Sequence, residues 1–170
     1  MISPFLLSLS LRRWIQAHPN SSNTLISKVA NTNTCNALLR GELSAIETYT
    51  KVIDKFGPGA GNNNLTGIRA NHVANAESLR QFVGECGDEP ATRSGLWGSF
   101  AVTLEGVAAI FGETPALMIL KQGEEHGIRK YMEALDNELS ESFKDLVRDR
   151  ILPTQRKHLV ELVDLNMKKA

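Results

Sequence analysis

Cysteine is scarce: the 170 residues hold two, Cys35 and Cys86, with no CxxC pair. That excludes a disulfide framework, and two thiols so far apart fit a reduced, cytosolic protein. Net charge is missing too, since 19 Lys plus Arg balance 19 Asp plus Glu. No global basic field draws the chain to nucleic acid or an anionic membrane. A membrane span is also lacking, because the apolar run Phe5–Leu11 is too short to cross a bilayer. The glycines near residue 57 form no GxxxxGK[ST] loop and follow no strand. No Ser-His-Asp or Cys-His grouping marks a nucleophilic site.

Acidic residues are absent before Glu42, whereas Arg12, Arg13, Lys28 and Arg40 all lie there. This break places a boundary near residue 34, giving a leader over 1–33 and one domain over 34–170. The leader's charges follow its apolar run, the reverse of a secretory signal. It reads as a loosely ordered extension, as sequence upstream of the true start, or as an organelle transit peptide. A cytoplasmic location follows from the first two readings and organelle targeting from the third. Asn31–Thr34 then serves as a cap before the first domain helix. His18 and Trp14 belong to the leader.

The remaining pattern is helical. Apolar residues at helical spacing over 35–56 predict a first helix, stopped by Gly57-Pro58-Gly59. A second is predicted over about Leu65–Val83 and a short one over Phe100–Phe111. A third covers about Thr114–Leu139, and a fourth runs from Ser140 towards Met167. Pro153 should kink that last helix near Asp149, or divide it into two shorter helices. Trp97, between glycines, packs the connection onto the bundle. The expectation is an all-α, ferritin-like antiparallel four-helix bundle, with an extra helix in the crossover between helices two and three.

The halves repeat. Leu38–Asp54 aligned with Leu120–Asp136 shares six identities in seventeen, among them Gly41/Gly123, Glu42/Glu124 and Tyr49/Tyr131. His72 follows Glu42 by thirty residues and His158 follows Glu124 by thirty-four.

At about 100° per residue, Glu42 shares the apolar face of Leu39, Ile46 and Tyr49. His72 sits between Ile68 and Leu79, Glu124 beside Leu117 and Tyr131, and His158 with Ile151 and Leu162. Glu47 and His126 fall outside these faces. Each helix thus aims one ionisable residue inward, which is costly unless the group is paired, coordinated or neutral. Two readings answer that cost. The four residues could ligate one Fe, Mn or Zn ion. Alternatively they form a metal-free hydrogen-bonded network with Tyr49, Tyr131, Arg69 and Gln155, in which Arg69 contacts Glu42 or Glu124. A standard di-iron centre needs a glutamate three residues before each histidine. Arg69 and Gln155 stand there instead.

Leu39–Tyr49 (LRGELSAIETY), Ser94–Phe100 (SGLWGSF) and Gly123–Gly127 (GEEHG) together resemble a family of ferritin-like bacterial proteins catalogued as a domain of unknown function. The likeness spans about 35–168. More distantly, Glu42 with Tyr49 resembles the first-helix pair of bacterioferritins and rubrerythrins. The resemblance implies a ferritin-like fold with Glu42, His72, Glu124 and His158 at metal-ligand positions. It implies a metal-linked oxidoreductase or stress role, and a homodimer paired through an outer helix face. The alternative is a metal-free structural or partner-binding protein.

Overall fold

The computed structural model describes residues 19–56, 62–95, 113–137 and 139–168, with side chains described from residue 32 and, in the second segment, from residue 63. Helix α1 spans Pro19–Phe56, α2 Asn62–Glu85 and α3 Glu113–Leu135. The last rod has three parts: α4 (Glu141–Asp145), a π-helical turn (Leu146–Ile151) and α5 (Leu152–Met167). Among the described residues there is no strand, so the all-α bundle expected from the sequence is what forms. No helix among them is long and apolar enough to cross a membrane. The expected helix over 100–111, Trp97, Trp14, His18 and the apolar run at 5–11 lie outside the described residues.

Contacts fix the directions. Cys35 donates to the Leu79 carbonyl, while Arg69 at the other end of α2 donates to Thr50. Early α1 therefore faces late α2, and the pair is antiparallel. Tyr49 meets Glu124 and Tyr131 meets Glu42, so α1 and α3 are antiparallel as well. His158 meets Glu124, and Gln155 lies against Gly127, which makes α3 and α5 antiparallel. It follows that α2 and α3 run the same way. The packing is closest within α1/α2 and α3/α5, looser between α1 and α3, and slight between α2 and α5.

Helix α1 begins at Pro19, so Asn31–Thr34 lies inside it and does not cap it. The physical reason is local. Proline suits a first helical turn, where its missing N–H has no partner to lose. No glycine or further proline interrupts 20–40. At the other terminus Ser140 caps α4 as expected, its hydroxyl accepting from the Phe143 N–H.

Pro153 disturbs the helix at the expected place, around Asp149, by widening it and not by dividing it in two. The helix widens over Leu146–Ile151, and the Leu152 N–H reaches five residues back to the Val147 carbonyl. Pro153 has no N–H to donate, and its ring crowds the carbonyl four residues back, at Asp149. A π turn spanning Asp149 relieves that crowding without ending the rod. Val147 and Ile151 both stay buried through it.

Two apolar clusters fill the interior. One gathers Leu39, Leu79, Val83, Tyr131, Phe143, Val147 and Ile151. The other gathers Tyr49, Val52, Ile68, Leu117, Leu120 and Leu162. On each long helix the inward ionisable residue falls between them: Glu42 on α1, His72 on α2, Glu124 on α3 and His158 on α5. The polar layer is thus closed above and below by packed hydrocarbon. Full burial of each large aliphatic side chain contributes about 1.5–3 kcal/mol towards holding it shut.

Candidate metal centre

The four inward residues meet in one layer and are almost fully buried, from His158 at 0% exposure to Glu124 at 4%. His72 stands at the middle. Its Nδ1 lies 2.7 Å from Glu42 Oε2 and its Nε2 lies 2.9 Å from Glu124 Oε1. His158 Nδ1 lies 3.3 Å from Glu124 Oε2. The two imidazole centroids are 5.0 Å apart.

Tyrosines cross between the halves. Tyr49 of the first half donates to Glu124 Oε1 at 2.7 Å, and Tyr131 of the second donates to Glu42 Oε1 at 2.6 Å. Gln155 Nε2 adds a 2.8 Å bond to Glu42 Oε1. The repeat seen in the sequence therefore corresponds to a reciprocal arrangement, with each glutamate bonded to a histidine of its own half and a tyrosine of the other.

The electrostatics follow from these contacts. Burial alone pulls the His72 pKa down, but the flanking carboxylates of Glu42 and Glu124 outweigh it and raise the value to about 10. Both ring nitrogens face carboxylate oxygens, and only imidazolium has two N–H donors. Burial pushes the Glu124 pKa up, and contact with His72 and His158 overcomes this to leave it at about 2. Both tyrosines are pushed well above the usual phenol value, first by burial and then by the carboxylates they donate to. They remain O–H donors.

His158 differs from His72. Its Nε2 lies 3.0 Å from the Asn71 amide nitrogen, which can only donate. The neutral tautomer consistent with that contact carries its proton on Nδ1, towards Glu124.

Among the described residues, His72, Glu124 and His158 each offer one ligand atom, and these atoms lie within 4.8 Å of one another. This buried His-Glu-His group could hold a metal ion. Two imidazoles and a carboxylate suit Fe, Mn or Zn, and such an ion would displace the proton that His72 Nε2 now shares with Glu124. Glu42 approaches from the far side of His72, on Nδ1. The residues three before the histidines do not complete a di-iron set, since Gln155 is neutral and bonds to Glu42 while Arg69 is cationic.

Tyr49, Tyr131 and Gln155 surround the centre as the sequence implied. Arg69 does not. Its Nη1 donates to Thr50 at 3.3 Å, not to Glu42 or Glu124. Leaving α2 one turn before His72, the side chain runs across to the α1 hydroxyl. His72 already supplies the positive charge between the carboxylates. The sequence reading also missed Asn71, which lies off the apolar stripe and gave no periodic signal. Glu47, outside the stripe, accepts from the Ser94 hydroxyl and ties the segment after α2 to α1. No protein-family profile matches the chain, and no curated protein and no solved structure matches it either.

Proposed function

We propose that this is a ferritin-like bundle protein that binds one metal ion at His72, Glu124 and His158, with Glu42 holding His72 from behind. The mutual approach of three buried ligand atoms to within 4.8 Å carries this reading. Fe, Mn or Zn fits the donors, and the missing bridging glutamates direct the reading away from a standard di-iron centre. A metal-linked oxidoreductase or stress role is the activity class that a single buried ion of this kind serves. The resemblance of Leu39–Tyr49 and Gly123–Gly127 to ferritin-like sequences supports the same class. Elemental analysis of protein purified without chelator tests it, alongside Glu124→Ala and Glu42→Ala. About one metal per chain, lost in Glu124→Ala, is expected; substoichiometric metal unchanged by either substitution refutes it.

A second reading has its own support. Each carboxylate oxygen of Glu42 and Glu124 already has at least one donor within the layer. A metal-free structural or partner-binding bundle needs nothing more, and a metal-free chain with undiminished stability would favour it. Either reading accommodates a homodimer through an outer helix face, which sedimentation across a concentration series checks; a monomer throughout removes that assignment. The two free thiols, Cys35 and Cys86, fit a reducing compartment, which a cytoplasmic location and an organelle interior both provide. Mass measurement of the N-terminus of the native protein separates those alternatives.

A further inference from the structure

A cavity of about 340 Å³ lies between α1 and α3. It runs from exposed Gln122 and Arg129 inward to buried Glu42 and Gln155. Its size falls at the lower end of ordinary small-molecule sites, about 300–1,000 Å³. Gly41 and Ala45 of α1 and Gly123 and Gly127 of α3 line it.

Two observations separate this space from loose packing. A Cβ built on Gly41 meets no atom within 4 Å. Close helix approach therefore does not require glycine there, although glycine inside a helix costs about 1 kcal/mol relative to alanine. The second observation is Gln155, which is 2% exposed. Its Nε2 is committed to Glu42, which sets the orientation of the amide. Its Oε1 is consequently left buried without a hydrogen-bond partner. The missing side chain at Gly127 leaves room beside that atom, since a Cβ there would stand 3.0 Å from Oε1.

The chemistry of an occupant follows. Oε1 accepts, so the occupant must donate. Glu42 Oε1 is already supplied by Tyr131 and Gln155. The carboxylates at the inner end repel an anion. His72 already occupies the position between them, and Arg129 and Lys130 in the lining repel a second cation. We propose that the cavity binds a small neutral molecule with an apolar body and a hydroxyl that donates to Gln155 Oε1, of the phenol or cyclic-alcohol class. This site stands whether or not a metal is bound beside it.

Phenol is the probe and toluene the control lacking the donor. The full chain, stripped of metal, is titrated with each while its amide resonances are followed. Phenol should shift the Gly41, Gly123 and Gly127 amides saturably. Gly41→Leu, which fills the space, should weaken phenol binding at least about tenfold with helical content retained. Gly41→Ala, whose methyl meets nothing, gives the same direction of change should the larger side chain disturb folding. Gly127→Ala covers Oε1 and should lower the preference for phenol over toluene by about tenfold, the size of one net hydrogen bond. Unmoved glycine amides, unchanged binding in both Gly41 variants, or an unchanged preference in Gly127→Ala overturns the proposal. Metal content is measured on the same samples, so failure of the metal reading is seen separately.

Discussion

Metal uptake by the buried layer should expel a proton, and the structure gives its source. His72 is held between Glu42 and Glu124 with its pKa raised to about 10. Its Nε2 must lose that proton before it can ligate an ion. The sign is definite: protons compete with metal, so affinity rises with pH up to the His72 value. One proton released per ion makes the apparent association constant rise about tenfold between about pH 7 and pH 8, or about 1.4 kcal/mol. Calorimetric titration of chelator-treated protein with Zn²⁺, repeated in buffers of different ionisation enthalpy, counts the protons directly. Close to one should be released at neutral pH. Release near zero, or affinity flat across that interval, would refute the assignment of His72 as both the resident cation and a ligand. Mutating Glu42→Gln weakens the grip on the proton, so in that variant the pH dependence should saturate at lower pH.

Other outcomes follow from the same contacts. Tyr49→Phe and Tyr131→Phe each remove a donor to a buried carboxylate and should cost about 1.5–3 kcal/mol in chemical denaturation; a loss below about 0.5 kcal/mol in both contradicts the bonding described. The ionised His72 is stabilising below the ordinary histidine value of 6.5, and that contribution is lost as pH rises towards about 10. Glu124 works in the opposite sense, stabilising above its ordinary 4.5 and lost as pH falls towards about 2. Metal-free protein should therefore melt highest between those two ordinary values, and a melting temperature that climbs steadily from about pH 7 to pH 10 argues against the ion pair. Gly41→Ala should raise stability by about 0.5–1 kcal/mol, since its methyl meets no neighbour; destabilisation in thermal melts would show that the space is needed for folding.

Much of this layer was legible in the sequence because helical periodicity is an angular signal. Glu42, His72, Glu124 and His158 each sit a multiple of a turn from buried leucines, isoleucines or tyrosines, so their direction could be read. Gln155 and the two tyrosines were found by the same reasoning. Arg69 shows its limit. Angle places a Cβ, but a long side chain then chooses among partners, and here Thr50 was nearer than a pair of carboxylates already holding an imidazolium. The start of α1 was misread for another reason. Asn and Thr are weak helix formers that favour caps, yet nothing at 31–34 breaks the backbone ladder. The π turn was beyond reach as well. Pro153 announces a conflict with Asp149, but whether the chain bends, breaks or widens depends on holding Val147 and Ile151 in the core. Which tyrosine reaches which glutamate depends on the register between α1 and α3, and no helix's own periodicity contains that.

That crossed pairing has a consequence for cooperativity. If the first two helices opened as a unit, Glu42 would lose the Tyr131 phenol and Glu124 would lose both the Tyr49 phenol and its contact with His72. Two carboxylates would be left short of donors, one of them inside whichever half stayed folded. Partial opening is then penalised in both directions, and the repeated halves form one unit of unfolding despite their internal likeness. The slowest-exchanging amides of α1, α2, α3 and α5 should share a single opening free energy in native-state hydrogen exchange. Two distinct plateaus, one for each helix pair, would mean that the halves open independently.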